Sequence, residues 1–297
     1  MNKPTYSNKL PIKSVHPKAY VVCPDNPIVD DEGNYNVFFH IRPGSGIQNS
    51  YLNSIHVMAE AGGMGSSENA QAFGHRNWIE SQLEVIHQAV SKKYPEAKRN
   101  LLGLSSFSGG YQAVGQLISD YEILDMVDAV VVLDGIHEGK RGNPDPGRMN
   151  KWVHLARPCA EDKNKKFIFL YTAVDPGTYS STSDAAFYLT DYLGLERVPM
   201  DGYDISFAGV KPATVAWQEG FRAIQLYPRK NDGPGYGYIY KPNNEKGTSG
   251  HQHIIAGKCF PDIANRYLLQ QWNKVPLFTE EEKRQVLNLV GVTLQNS

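Results

Sequence analysis

The chain has 297 residues, 41% of them apolar and 21% charged. That is the composition of a globular chain long enough to bury a core without staples, and it excludes a disordered one. The 30 Lys and Arg stand against 31 Asp and Glu, a net charge of −1, so the basic excess of a typical nucleic-acid binder is missing. The three cysteines, Cys23, Cys159 and Cys259, are odd in number and far apart. Neither a disulfide framework nor a CxxC metal or redox motif therefore organises the chain. The first 14 residues lack the apolar stretch of a secretory signal, and no run of about 18 apolar residues offers a membrane span. A cytoplasmic protein is expected, with leaderless export or a phage particle as alternatives.

Residues 1–18 are polar and are expected to form an N-terminal arm on a single domain spanning 1–297. Residues 20–23 read as a short strand ended by Pro24, residues 30–34 as a turn, and 35–41 and 54–59 as strands. Ile79, Leu83, Ile86 and Val90 recur at helical spacing, and Pro95 ends that helix. Residues 101–104 begin a buried strand. The helix after it carries Val114, Leu117, Ile118 and Tyr121. The run 127–133 is apolar throughout, as a central parallel strand covered on both faces requires. Residues 139–150 read as a loop and 167–172 as a strand. Ser183 is expected to cap a helix reaching Leu193. Residues 221–227 form another strand candidate, 230–250 a long loop insertion near the site, and 262–272 a helix. Thr279 and Glu282 fit a capping box for a last helix ending at Leu289. Strand and helix alternate along most of the chain, which predicts an α/β fold: a mainly parallel central sheet with helices on both faces.

The sharpest chemical signal is Ser106-Phe107-Ser108-Gly109-Gly110, with a buried strand leading in and an amphipathic helix leading out. Small-x-Ser-x-Gly in that setting is a nucleophile elbow. A serine on a tight strand-to-helix turn needs small neighbours two residues away on each side, and the amide after it can hold an oxyanion. Ser108 is thus the candidate nucleophile and Gly109 a candidate oxyanion donor. Ser105 and Ser106 lack small residues on both flanks. A second oxyanion donor is expected from the glycine-rich stretch after strand 35–41, at Gly44 or Ser45. His40, in that strand, precedes the nucleophile and is expected to be structural.

A serine nucleophile needs a base, and the base needs an orienting acid. Gly250-His251-Gln252-His253 follows the last strand candidate and supplies two candidate bases, His253 preferred over His251. Asp175 follows strand 167–172 and Asp134 follows strand 127–133. Both reach the carboxyl edge of a parallel sheet, and Asp175 is preferred. Arg42 could meet an anionic substrate group, although a surface salt bridge is the more ordinary role. Tyr236, Tyr238 and Tyr240 alternate in the 230–250 loop, as on one face of a hairpin or beside a flat substrate group.

The order of elbow, acid and late histidine resembles the α/β-hydrolase superfamily over about residues 35–275. More narrowly, Ser106-Phe107-Ser108-Gly109-Gly110-Tyr111, Leu133-Asp134-Gly135-Ile136-His137 and Tyr179-Ser180-Ser181-Thr182-Ser183 resemble little-characterised bacterial members. In those members the segment matching 133–137 keeps its acid, and the one matching Asp175 often does not. The sequence departs from the usual Gly-x-Ser-x-Gly at Ser106. The resemblance implies a serine hydrolase acting on an ester, or an amide, through an acyl-enzyme. Its substrate would be a small-molecule or polymer-linked ester, with no cofactor, metal or nucleic acid. A non-catalytic binding or structural protein on the same scaffold is the alternative.

Overall fold

Apolar runs with β-branched residues become strands where both faces are covered. The computed structural model describes residues 6, 10–25, 28–42, 50–62, 66–172, 176–200, 207, 212–226 and 259–273. Among them nine strands form one sheet. They are β1 (Ala19–Val22), β2 (Asn34–Ile41), β3 (Ile55–Ala59), β4 (Lys98–Phe107), β5 (Ala129–Leu133), β8 (Lys166–Tyr171), β9 (Val198–Pro199), β10 (Pro212–Gln218) and β11 (Phe221–Leu226). β6 (Gly139–Lys140) and β7 (Asn143–Pro144) make a separate small hairpin. The sheet order is β1-β3-β2-β4-β5-β8-β11-β10-β9. The six strands from β3 to β11 run parallel, and antiparallel strands flank them on both sides.

The period of two along each strand divides the core between two faces. Phe39, Leu104, Val130, Val132 and Phe169 point to one face. It is covered by α1 (Ser66–Phe73), α2 (Arg76–Lys93), α3 (Tyr111–Leu117), α4 (Tyr121–Met126), α5 (Pro146–Glu161) and α6 (Thr182–Tyr192). Phe38, Val131, Leu133, Ile168 and Ile224 point to the other. There α7 (Cys259–Ile263), a π turn (Ala264–Leu268) and α8 (Leu269–Asn273) lie across the sheet. Phe260 and Trp272 from this run meet the ring of Phe38 at 5.3 and 5.5 Å between centroids. The predicted α/β sheet with helices on both faces is what forms. None of the described helices is long and apolar enough to cross a membrane.

Local chemistry changes several expected boundaries. The helix expected to run through Tyr121 is two helices. The Asp120 carboxylate accepts from the amides of Glu122 (2.9 Å) and Ile123 (3.5 Å) and starts α4 afresh, with Tyr121 exposed. The loop expected over 139–150 ends at Asp145, which caps α5 through the amides of Gly147 and Arg148 ahead of a first-turn proline. The cap of α6 is Ser181, not Ser183. Ser181 Oγ accepts from the Asp184 amide, and Asp184 accepts from the Ser181 amide, a closed capping box. The loop insertion expected at 230–250 and the last helix at 279–289 lie outside the described residues.

Connectivity marks a candidate position for a site. β2 leads outward to β3. The chain then returns across β2 to β4 on its other side and continues to β5 and β8. Strand order therefore reverses between β2 and β4. In open α/β sheets the crevice at the carboxyl ends of the strands at such a point receives ligands. Arg42 leaves β2 there and Ser108 leaves β4.

Candidate active site

β4 ends in extended backbone at Phe107, and Ser108 turns at once to φ +49°. That left-handed conformation is strained for a residue with a side chain, by about 1–2 kcal/mol. A 3₁₀ turn, Ser108–Gly110, then feeds α3. The tight reversal lifts Ser108 out of the core. From Leu101 to Gly110 every residue is buried except Ser108. The turn closes because its glycines have no side chains. A Cβ on Gly110 would stand 2.5 Å from the carbonyl oxygen of Ile41, and one on Gly109 would stand 3.0 Å from Arg42 Nη1. The small residues required around the serine are thus explained by packing against the end of β2.

Arg42 follows β2 with φ +56°, and its amide donates to the carbonyl of Ala59 at 2.7 Å. Its Nη1 donates to Ser108 Oγ at 3.3 Å, and its guanidinium carbon lies 5.8 Å from the centre of the Phe107 ring. Among the described residues Arg42 forms no ion pair. Among the described residues its side chain meets the candidate nucleophile.

Asp134 follows β5, also with positive φ, and is buried. Its carboxylate accepts from the Thr172 amide (2.9 Å), Thr172 Oγ1 (2.8 Å) and Thr182 Oγ1 (2.6 Å). Its own amide donates to the carbonyl of Leu170. These partners come from the end of β8 and the start of α6. Asp134 therefore ties together the two ends of the segment that carries Asp175. Asp175, His251, His253, Gly44, Ser45, Tyr236 and Tyr238 lie outside the described residues.

The rival serines are occupied or enclosed. Ser106 is buried against the helical layer, its hydroxyl without a partner among the described residues. Ser105 belongs to a buried chain that sequence reading missed. Ser105 Oγ and His40 Nδ1 are 2.6 Å apart, His40 Nε2 and His56 Nδ1 2.8 Å, and His56 Nε2 and the Tyr6 hydroxyl 3.1 Å. The Tyr6 hydroxyl donates to the Leu52 carbonyl at 3.0 Å. A carbonyl only accepts, so the direction of every proton follows. His56 Nε2–H donates to Tyr6, His40 Nε2–H donates to His56, and Ser105 donates to His40. Both imidazoles are neutral. Burial pushes the His56 pKa down to about 3, and burial together with the neighbouring His56 holds His40 well below the ordinary histidine value. The residues share one face because β2 and β4 pair His40 with Ser105, and β2 and β3 pair His40 with Met58. Nothing in the sequence spells out that register.

On the same carboxyl edge, the hydroxyl of buried Tyr111 donates to the carbonyl of His137 at 3.0 Å. His137 Nδ1 donates to the carbonyl of Ser180 at 3.0 Å, and its ring meets Tyr179 at 4.9 Å between centroids. Among the described residues no cluster of His, Cys, Asp and Glu could hold a metal ion.

No protein-family model matches the chain, and no curated protein matches it. Two of the solved structures that show remote likeness are a peptidase and an esterase. An acylaminoacyl peptidase from Pyrococcus horikoshii aligns at TM-score 0.32 and 12% identity over 63% of this chain. The chain spans 35% of that peptidase's length. A carboxylesterase from Bacillus subtilis aligns at TM-score 0.35 and 9% identity over 91% of each chain. At such scores neither name transfers, and the reading rests on the geometry.

Proposed function

We propose that the protein is a serine hydrolase of the α/β-hydrolase kind, cleaving an ester, or an amide, through an acyl-enzyme. One observation carries the reading. Ser108 sits with strained positive φ on the turn between a buried strand and a helix, at the switch point, and is the one residue from Leu101 to Gly110 that is not buried. A serine held this way at a cost in backbone strain suits a nucleophile.

In the proposed reaction Ser108 Oγ bonds to the substrate carbonyl carbon. Its proton passes to the imidazole of His253, with His251 as the alternative, and the carbonyl π pair moves onto oxygen. The Gly109 amide and one from Gly44 or Ser45 receive that oxyanion. Collapse breaks the bond to the leaving group, which takes the proton back from the imidazolium. Water then repeats the sequence on the acyl-enzyme and frees the acid. Asp175 orients the imidazole. Asp134, with three donors on its carboxylate among the described residues, is the positioning residue for the Asp175 segment. Tyr236 and Tyr238 would line the approach to the site. The chemistry calls for no cofactor.

The test is hydrolysis of p-nitrophenyl acetate and longer p-nitrophenyl acyl esters by wild type and Ser108→Ala. Turnover that disappears in the variant at unchanged melting temperature supports the reading. Equal rates in both would sink it.

A further inference from the structure

We propose that Arg42 is a catalytic residue: its guanidinium holds the oxyanion that forms beside Ser108, as a charged donor added to the backbone amides. The inference rests on the hydrolase reading above.

Three observations converge on it. First, Arg42 Nη1 already donates to Ser108 Oγ at 3.3 Å. The oxyanion forms one carbon away from that oxygen, so a donor touching Oγ needs only a small shift to reach it. Second, the elbow leaves room for this side chain. A Cβ on Gly109 would stand 3.0 Å from Nη1, and one on Gly110 would stand 3.2 Å from Arg42 Cβ. The two glycines are thus a clearing through which the arginine reaches the nucleophile. Third, the backbone of Arg42 is strained, with φ +56°, and pinned by its amide to the Ala59 carbonyl. Strain in a bulky residue at a strand exit persists where the surroundings over-determine it, and it aims the side chain inward. The Phe107 ring beneath the guanidinium steadies it in place.

The chemistry suits an electrostatic role and no other. A guanidinium carries no acceptor and does not give up its proton, so it cannot replace the histidine as base. It can favour the serine alkoxide and the oxyanion, both negative, over the neutral ground state. Donors of that kind act on the transition state, and removing one costs about 10²–10³-fold in turnover.

The test follows inactivation by a fluorophosphonate and hydrolysis of p-nitrophenyl acetate in wild type, Arg42→Met, Arg42→Gln and Arg42→Ala. In the labelling step the Ser108 oxygen bonds to phosphorus, fluoride leaves, the proton goes to the base, and negative charge builds on the phosphoryl oxygen. Its rate therefore reads the oxyanion donors directly. Arg42→Met keeps the apolar stem over Phe107 and is expected to lose about 10²-fold or more in labelling rate and turnover, with KM little changed. Guanidinium chloride at low, non-denaturing concentration is expected to restore part of the activity of Arg42→Ala, which a purely structural role would not allow. If Arg42→Met folds poorly, Arg42→Gln is judged by the same criterion. Equal labelling rates in wild type and a folded Arg42 variant would overturn the inference and leave the hydrolase reading standing. A folded wild type that neither labels nor turns over would overturn both.

Discussion

The buried chain from Ser105 to Tyr6 makes the protein sensitive to acid in a calculable way. His40 is stacked on Phe38, 4.8 Å between centroids, and edge-on to Phe260 at 4.9 Å; His56 meets the Tyr6 ring at 5.4 Å. Each is held neutral in the folded state. In the unfolded chain a histidine takes up a proton below about pH 6.5. The unfolded state therefore binds more protons as the pH falls. Stability is full above about pH 6.5 and is lost through the window down to the folded pKa of His56, near 3. For His56 alone, two pH units below 6.5 give about 3 kcal/mol of lost stability by about pH 4.5. His40, shifted the same way, adds to that loss, against a total of about 5–15 kcal/mol for a typical domain. Asp128 cannot supply this slope. Burial raises its carboxyl pKa, so acidification stabilises the fold at that site. The assay is urea denaturation read by the fluorescence of buried Trp78, Trp152 and Trp272, from about pH 7.5 to about pH 4.5. The double variant His40→Gln/His56→Gln should be less stable at neutral pH and lose most of the dependence. A flat wild-type profile across that range, or an equal slope in the double variant, would refute the reasoning.

Other outcomes follow from single contacts. Gly110→Ala would drive a Cβ to within 2.5 Å of the Ile41 carbonyl oxygen. It should lower stability by about 1–3 kcal/mol and displace Ser108, which a lowered melting temperature together with lost esterase activity would register. Thr182→Val removes the 2.6 Å hydrogen bond to Asp134, and urea titration should report a loss of about 1.5–3 kcal/mol that Thr182→Ser largely avoids. Asp175→Asn should cut turnover by up to about 10⁴-fold at unchanged melting temperature, whereas Asp134→Asn should chiefly lower the melting temperature. The opposite pattern would exchange the roles of the two acids.

The parts legible in the sequence are those written in local chemistry. The run Val130-Val131-Val132-Leu133 marks a strand covered on both faces, and it is central in the sheet. Small-x-Ser-x-Gly after a buried strand marks the turn at Ser108, and the backbone there has the strained φ such a turn demands. What escaped is what only pairing decides. His40 and Ser105 are 65 residues apart and meet because β2 and β4 are neighbours in one register. Arg42 reaches Ser108 for the same reason, so its sequence context suggested an anionic substrate group or a surface salt bridge but not contact with the serine. Asp134 reads as a strand-end acid, but the threonines that claim it lie 38 and 48 residues further on. Choices between equivalent local signals were also lost. Ser181 and Ser183 are both credible caps, and Asp184 selects Ser181 by closing the box.

The central claim is that Ser108 is an activated nucleophile. Peptide mapping by mass spectrometry after fluorophosphonate labelling tests it most directly, with Ser105→Ala, Ser106→Ala and Ser108→Ala alongside wild type. The account predicts a single adduct on Ser108, retained in folded Ser105→Ala and Ser106→Ala and absent from Ser108→Ala. An adduct on another serine, or none on folded wild-type protein, would contradict it.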